Sequence, residues 1–486
     1  KKVLKEAENI PSTVQTEALQ GRRDLRGETI ITIDGADAKD LDDAVGVIRL
    51  GNGNYKLGVH IADVTHYVKE GSKLDKEALE RGTSVYLIDR VIPMLPHALS
   101  NGICSLNPNV DRLTMSCEME ISPTGEVVRH EIFESVICTA ARMVYTDVSD
   151  ILEGAQDGAT LEGGTMAMLK DMEALSLILR GRRERRGAID FDFPEPQITL
   201  DENGKPLEIV NRERRIANRI IEEFMLVANE TVAEHVFWLE YPFVYRIHED
   251  PDPERIASFN LFLNRFGLKL KSGEDDMHPK SVQQLLESVE GKKEAPIINK
   301  MMLRALKQAK YSPSNEGHFG LAAKYYCHFT SPIRRYPDLQ IHRILKEMIH
   351  LQLTPQRIEQ LKVIVDYAAR QSSERERVAE QAERETDDMK KCEYMLRFIG
   401  QEFEGVISTV TGFGMFVALE NTIEGLVRVS NMEDDYYHFD EKLMALVGER
   451  RRKTFTIGDS ITVRVENVNV GYREIDFKIV AKSVEQ

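Results

Sequence analysis

The sequence predicts an α+β fold with a small all-β barrel at its C-terminal end, and three observations predict it. Residues 27–145 alternate strand-like runs with turns. Residues 165–186, 214–238, 253–310 and 336–398 carry helical periodicity, and such a succession fits one large α+β domain. After Ile399 and Gly400 the sequence changes character. Five short β-patterned runs follow, Phe403–Val410, Gly414–Leu419, Ile423–Val429, Ser460–Val468 and Glu474–Val480, broken by Gly412, Asn421, Gly458 and Gly471. That is the pattern of a small closed barrel such as an OB-fold.

Taken in order, residues 1–21 are polar and mixed and read as a connector; the large domain is expected over 22–398 and the barrel over 399–486. Ile30–Ile33 is a β-branched run suited to a buried strand, and Tyr55–Val64, Ser84–Ile92, Leu113–Ile121 and Glu131–Ile137 read as further strands. Leu169, Met172, Leu175 and Leu179 fall on one face of a helix over 165–186. Strands return over 188–210, around Asp190–Pro194. A long buried helix over 214–238 then follows from Ile216, Ile220, Phe224, Val227 and Val232.

Composition narrows the function classes. At 486 residues and 42% hydrophobic content the chain can bury sizeable cores. No apolar run reaches the ~18 residues of a membrane span. A net charge of −16 argues against a non-specific coat on nucleic acid, yet leaves room for an enzyme with a basic channel. Basic clusters stand at Arg180–Arg186, Arg212–Arg219, Arg334–Arg335 and Arg450–Lys453. A charged helix face explains each at least as well as a phosphate contact does. The five cysteines are scattered, with no Cys-x-x-Cys pair, and read as reduced, cytosolic, non-zinc thiols.

Chemistry concentrates in residues 30–45. Asp34, Asp37, Asp40, Asp42 and Asp43 lie within ten residues, embedded between Ile30–Ile33 and Ala44-Val45. Carboxylates packed this closely resist ionising together. A hard cation resolves the conflict, and all-oxygen ligands suit Mg²⁺ or Mn²⁺. An Asp-rich surface loop or a structural Ca²⁺ loop is the other reading. The second places its Gly centrally and ends on Glu, whereas here Gly comes second and Val45 stands in the twelfth place.

In the barrel, the run Gly405–Val417 resembles the RNA-binding OB barrel of the ribosomal S1 type, with Glu424–Val427 and Ser430 continuing the pattern. Phe413 and Phe416, with His438 beside them, are candidates to stack on bases, an interaction worth about 1–3 kcal/mol per base that tolerates any sequence. Phe416 as barrel core, with only Phe413 presented, is the alternative.

Further motifs follow in order: His60–Val64, Arg81–Leu87, Asp89–Pro96, Leu99–Pro108, Asp111–Leu113, Arg186–Ala188, Glu222–Asn229, Tyr245–Glu249, His318–Leu321 and Thr330–Asp338. Together with the aspartates they resemble the RNB family of exoribonucleases over about 22–486. That resemblance places the family's four aspartates on Asp34, Asp40, Asp42 and Asp43, leaving Asp37 in an outer or structural role. It places a base-clamping tyrosine on Tyr86 and a phosphate-contacting arginine on Arg334. Two RNA-contacting glutamates fall on Glu383 and on Glu223 or its neighbour Glu222. It implies processive, sequence-independent 3′→5′ hydrolysis of RNA to nucleoside 5′-monophosphates by a two-metal mechanism with Mg²⁺ (Mn²⁺ as alternative), with Asp40, Asp42 and Arg334 at the reacting phosphate. The expected partners are single-stranded RNA and structured RNA with a 3′ overhang, with no membrane, and the chain is expected to act as a monomer in the cytoplasm. A branch of the family that stalls at structure, and a catalytically silent RNA-binding scaffold, are the alternatives. The family pattern starts with small cold-shock-like barrels and ends in a basic tail. Neither is visible here and residue 1 is Lys, so the sequence reads as part of a longer chain.

Overall fold

The computed structural model describes residues 2–156, 161, 164–190, 195–270, 277–292, 294–440 and 445–482. The large domain is built on a seven-stranded mixed sheet. Its strands are β1 (Arg23–Asp24), β2 (Ile31–Asp34), β3 (Asp43–Arg49), β4 (Tyr55–Ala62), β7 (Asp111–Ile121), β8 (Val127–Cys138) and β9 (Ala141–Val144), in the order β1-β8-β7-β4-β3-β2-β9. The centre is antiparallel, with Asp43 opposite Ile61 and Ile61 opposite Met115; β1 on β8 and β2 on β9 are parallel. Period-two alternation puts Leu57, Val59 and Ile61 of β4 on one buried face.

Helices cover that face. After α1 (Lys2–Glu8), α2 (Val64–Tyr67), α3 (Lys73–Arg81) and α4 (Tyr145–Leu152) come α5 (Thr165–Arg186) and α6 (Ile216–Trp238). Leu169, Met172, Leu175 and Leu179 of α5 join Ile220, Phe224, Val227 and Val232 of α6 in one core with the sheet, as the helical period predicts. Beyond lie α7 (Pro253–Leu263), α8 (Pro279–Val289), α9 (Ala295–Ala305), α10 (Tyr336–Ile349) and α11 (Pro355–Met395). Thr354 caps α11, its hydroxyl accepting from the Arg357 N–H at 3.2 Å with Pro355 at the first helical position. This helix of 41 residues carries the chain from the large domain to the barrel.

Two segments differ from their reading. Residues 2–21 are a docked arm: Ala7 is buried, and the Glu6 carboxylate accepts from the Lys73 and Leu74 N–H groups at the start of α3. The run Ser84–Ile92 yields only a two-rung hairpin, β5 (Val85–Tyr86) with β6 (Val91–Ile92), outside the main sheet. Its neighbours are distant in sequence: the Ser84 N–H donates to the Arg334 carbonyl and the Tyr86 N–H to Glu383. Small antiparallel pairs β10 (Glu195–Leu200) with β11 (Pro206–Arg212) and β12 (Tyr245–Ile247) with β13 (Lys310–Ser312) complete the domain; the strand expected across Phe191–Pro194 lies outside the described residues.

The barrel closes in the order β14 (Glu402–Thr411), β15 (Gly414–Leu419), β16 (Glu424–Arg428), β21 (Glu474–Lys482), β20 (Ser460–Asn469). A Cβ at Gly414 would lie 2.3 Å from the Val427 carbonyl oxygen, so only glycine admits this approach of β15 to β16. A side sheet of β17 (Tyr437–Asp440), β18 (Ala445–Gly448) and β19 (Thr454–Thr456), which the sequence reading did not anticipate, flanks the barrel.

Candidate active site

Asp34 ends β2 and Asp43 opens β3, so the turn between them carries Asp40 and Asp42 back to the same end of the sheet. All four line one cavity of about 290 Å³, together with Glu222, Asn229, Tyr326 and Arg334. Asp37 is exposed and lines a different depression. Asp42 is only 3% exposed; its Oδ1 accepts from the Ile333 N–H at 2.8 Å, and its Oδ2 has no hydrogen-bond partner. Arg334 Nε stands 3.6 Å from that oxygen, beyond hydrogen-bond reach. Asp34 Oδ2 is likewise buried and unpartnered. Burial raises the pKa of Asp34, Asp42 and Asp43; the neighbouring Asp43 adds to it at Asp34, and Arg334 opposes it at Asp42 and Asp43.

The loop 331–335 that brings Arg334 into place hangs on Asp338. This fully buried carboxylate accepts from the Ser331 N–H at 2.7 Å and from Arg335 Nε and Nη2 at 3.0 and 2.7 Å. Arg334 Nη2 donates to Ser331 Oγ at 2.9 Å, and the Arg334 carbonyl accepts from the Ser84 N–H. Its guanidinium is left partly exposed over the cavity, in reach of an entering phosphate.

Tyr86 is presented. Its side chain is held at both ends while the residue stays 40% exposed: the hydroxyl donates to Asp40 Oδ2 at 2.7 Å, and the backbone N–H donates to Glu383 Oε1 at 2.8 Å. The ring and the hydroxyl therefore have separable tasks. Tyr86→Ala is expected to lengthen the terminal product by a nucleotide or more through loss of the stacking surface. Tyr86→Phe should keep the product ladder and, if Asp40 is the metal ligand that the resemblance implies, weaken Mn²⁺ binding about 10-fold or more, as loss of an outer hydrogen bond to a ligating carboxylate does. Product sizing on gels and Mn²⁺ titration by electron paramagnetic resonance read the two effects; a ladder unchanged in Tyr86→Ala would make the ring mere packing.

The resemblance left Glu223 and its neighbour Glu222 open, and the structure sets the two apart. Glu223 is buried in a bidentate pair with Arg183 (Nη2 to Oε1 2.7 Å, Nε to Oε1 3.1 Å), which occupies its carboxylate. Its neighbour Glu222 lines the aspartate cavity, held there by Arg214. Asn229 was not singled out. Its Oδ1 accepts from the Phe329 N–H at 2.9 Å and its side chain faces the same cavity; the seven-residue spacing from Glu222 is the helical signal that would have found it. In the barrel, away from this cavity, Phe413 is 58% exposed and Phe416 half-buried, their rings edge-to-face at 6.2 Å.

Among the described residues no three His, Cys, Asp or Glu side chains form a ready-made metal cluster. The donor set nevertheless fits a hard divalent cation. Mg²⁺ is commonly bound through one or two carboxylates, with water and substrate phosphate completing its shell, and Asp34 and Asp42 each aim an unsatisfied buried oxygen at the same space.

Comparison with known proteins gives two family matches: an RNB domain over residues 22–351 and an S1 RNA binding domain over 397–479. Ribonuclease R 1 of Lactococcus lactis is 49% identical over 487 residues, covering 100% of this chain and 59% of that protein. Ribonuclease R of Thermotoga maritima is 47% identical, covering 99% of this chain and 68% of the relative. The chain thus spans about three fifths to two thirds of the length of these relatives. Among solved structures, Mycoplasma genitalium RNase R with ribose-methylated single-stranded RNA superposes with a TM-score of 0.93 at 30% identity, over 98% of this chain and 75% of that one. The same enzyme with double-stranded RNA gives 0.88 at 29%, over 98% and 80%. An aspartate-lined cavity on an RNB domain, followed by an S1 barrel, makes this chain a member of the RNB family.

Proposed function

We propose that the chain is a metal-dependent 3′→5′ exoribonuclease that releases nucleoside 5′-monophosphates processively, without regard to sequence. One observation carries the reading: buried, unpartnered carboxylate oxygens of Asp34 and Asp42 share a cavity with the Arg334 guanidinium, beside a tyrosine ring anchored on Asp40. Asp34, Asp40, Asp42 and Asp43 would hold two Mg²⁺ ions (Mn²⁺ as alternative), which when bound supply an activated water and stabilise the leaving oxygen. Arg334 offsets charge on the scissile phosphate, its planar fork matched to two oxygens. Tyr86 stacks on the terminal base and sets the register, with Glu383 fixing the backbone beneath it. Phe413 and Phe416 give the barrel a stacking surface for single-stranded RNA. Readout through stacking and backbone contacts makes the activity sequence-tolerant.

Structured RNA enters by a 3′ overhang. A cavity of about 290 Å³ has room for about one nucleotide at the aspartates, which suits a single strand presented by its end. The Mycoplasma relative, solved with both single- and double-stranded RNA, supports this choice of partner. The experiment is digestion of an end-labelled duplex bearing a roughly ten-nucleotide overhang, beside a blunt control, in Mg²⁺ and in EDTA, with the chain's mass checked in solution for the monomer. Products running past the overhang in Mg²⁺ alone support the reading. Arrest at the overhang length assigns the chain to the branch that stalls, and intact RNA in Mg²⁺ to a silent scaffold.

Two further outcomes are expected. Raised carboxylate pKa values mean that a cation entering the cavity displaces protons, so Mn²⁺ affinity should rise with pH across about 6 to 8 and fall as acid re-protonates Asp34 and Asp43. A Mn²⁺ affinity flat over that range would contradict it. Deleting residues 400–486 should weaken RNA binding and reduce its salt slope while hydrolysis of saturating single-stranded RNA survives; loss of all hydrolysis in the folded deletion protein would mean that the barrel completes the active site.

A further inference from the structure

Three of the four aspartates are placed by elements already described. Asp34 ends β2 and Asp43 opens β3. Asp42 accepts from the Ile333 N–H on its carboxylate and from the Ala62 N–H on its carbonyl. Asp40 lies outside both strands, in the turn between them. What holds it comes from the Leu99–Pro108 segment, a motif that the proposed chemistry leaves without a task. Ser105, fully buried, donates from Oγ to the Lys39 carbonyl at 2.8 Å and accepts there from the Leu41 N–H at 3.0 Å.

Those two groups belong to the two peptide planes on either side of Asp40. A peptide plane is rigid, so the only soft angles between these two are the φ and ψ of Asp40 itself. One hydroxyl bound to both planes therefore fixes the direction in which the Asp40 side chain leaves the backbone. A hydroxyl suits the task because it donates and accepts at a single atom. The next residue continues the contact, the Leu106 N–H donating to the Leu41 carbonyl at 3.0 Å.

Ser105 is held in its turn. Arg112 of β7, itself buried, donates from Nε to the Ser105 carbonyl at 2.7 Å, from Nη1 to the Asp111 carbonyl at 2.9 Å and from Nη2 to the Gly102 carbonyl at 3.3 Å. The segment is drawn around one guanidinium, so the acidic turn conforms to Ser105 rather than the reverse. On its far side Asp40 Oδ2 accepts from the Tyr86 hydroxyl at 2.7 Å. We propose that Ser105 is a positioning residue of this site, which sets the Asp40 carboxylate where the Tyr86 hydroxyl and a cation meet it. The inference rests on the exonuclease reading for the cation; the bond to Tyr86 is independent of that reading.

The first measurement needs neither metal nor RNA. Fluorine NMR of the whole chain labelled with meta-fluorotyrosine, in EDTA, identifies the Tyr86 resonance by its loss in Tyr86→Phe. Ser105→Ala should move that resonance toward its position in Asp40→Ala, where the hydroxyl has lost its acceptor. Ser105→Cys, which fills the space with only a weak donor, should do the same. Thr139→Val removes a buried hydroxyl bonded to the Leu106 and Asn107 carbonyls at 3.4 and 3.3 Å, and should leave the resonance in place. Melting curves show that each variant is folded. The second measurement is Mn²⁺ titration by electron paramagnetic resonance. Ser105→Ala should weaken Mn²⁺ about tenfold, the lower end of what loss of an outer partner does. In the Asp40→Ala background it should have no further effect, because it acts through that carboxylate. A Tyr86 resonance unmoved in Ser105→Ala, a wild-type position in Ser105→Cys, or an equal loss of Mn²⁺ affinity with and without Asp40 overturns the assignment. Absence of Mn²⁺ binding by wild type would sink the exonuclease reading alone, and the Tyr86 resonance would then decide the role of Ser105.

Discussion

Asp42→Asn is expected to lower the hydrolysis rate by about 10²-fold or more, the usual scale for a group acting at the reacting centre, while RNA affinity stays within a few-fold. The substitution is nearly isosteric. Its amide oxygen can still accept from the Ile333 N–H, so the 331–335 loop keeps its anchor on the turn before β3. What disappears is the charge. On the proposed mechanism the buried, unpartnered Oδ2 is the oxygen offered to the cation, and an amide is a poorer ligand that also cannot balance Arg334. On the proposed reading most RNA contacts lie elsewhere, on Tyr86 and the barrel, so binding should survive. The folded state should be as stable as wild type or more so in metal-free buffer, because burial already disfavours the charged form of Asp42 and the amide is a neutral group of the same shape. Single-turnover rates at saturating enzyme, with filter binding in EDTA, separate the two effects. A rate above about a tenth of wild type would remove Asp42 from the reacting centre.

Much of this was legible in the sequence, and the exceptions have physical causes. Period-two and 3.6-residue patterns found β2, β4, β7 and β8 of the sheet, α5 and α6, because their buried faces are continuous, but not β1, β3 or β9. The barrel strands were legible for the same reason, whereas β17–β19 were not: three to four residues each give too short a period to read. The aspartates stood out by density, and their roles came from the resemblance. Choosing between Glu222 and Glu223 required the rotational phase of α6. Glu223 lies three residues after Ile220 and four before Val227, on the buried stripe where Arg183 meets it; Glu222 lies four before Leu226, on the stripe facing the cavity. That phase was present in the apolar positions. The exposure of Tyr86 was not, since its backbone and hydroxyl partners, Glu383 and Asp40, lie 297 and 46 residues away. The docked arm over 2–21 was missed because one buried alanine and one capping glutamate leave no periodic trace. Fold alone does not specify the chemistry; the side chains that line the cavity do.

The second large effect is expected at Asp338, which touches neither cation nor substrate. Asp338→Ala should cost about 3–5 kcal/mol of stability, the range for breaking a buried ion pair from one side. Burial alone holds the Asp338 carboxyl above its ordinary pKa even with Arg335 against it, so assembling the pair is costly and the aspartate is retained for what it positions. Without it, half-buried Arg335 loses its only hydrogen-bonded carboxylate among the described residues and the Ser331 N–H loses its acceptor. Ser331 is in turn the hydrogen-bond partner of Arg334, so the phosphate-facing guanidinium loses its setting. Hydrolysis under conditions where the variant is fully folded should therefore fall together with the stability. The Arg335→Met/Asp338→Leu double variant separates the two roles. Removing both charges should recover most of the lost stability, because no charge is left buried alone, but it should not recover the rate, because the loop has no carboxylate to close on. Denaturant titration of the two variants, with single-turnover rates at saturating RNA, reads both quantities. Full activity in the double variant would mean that the loop is held by its neighbours Ser84 and Asp42 instead.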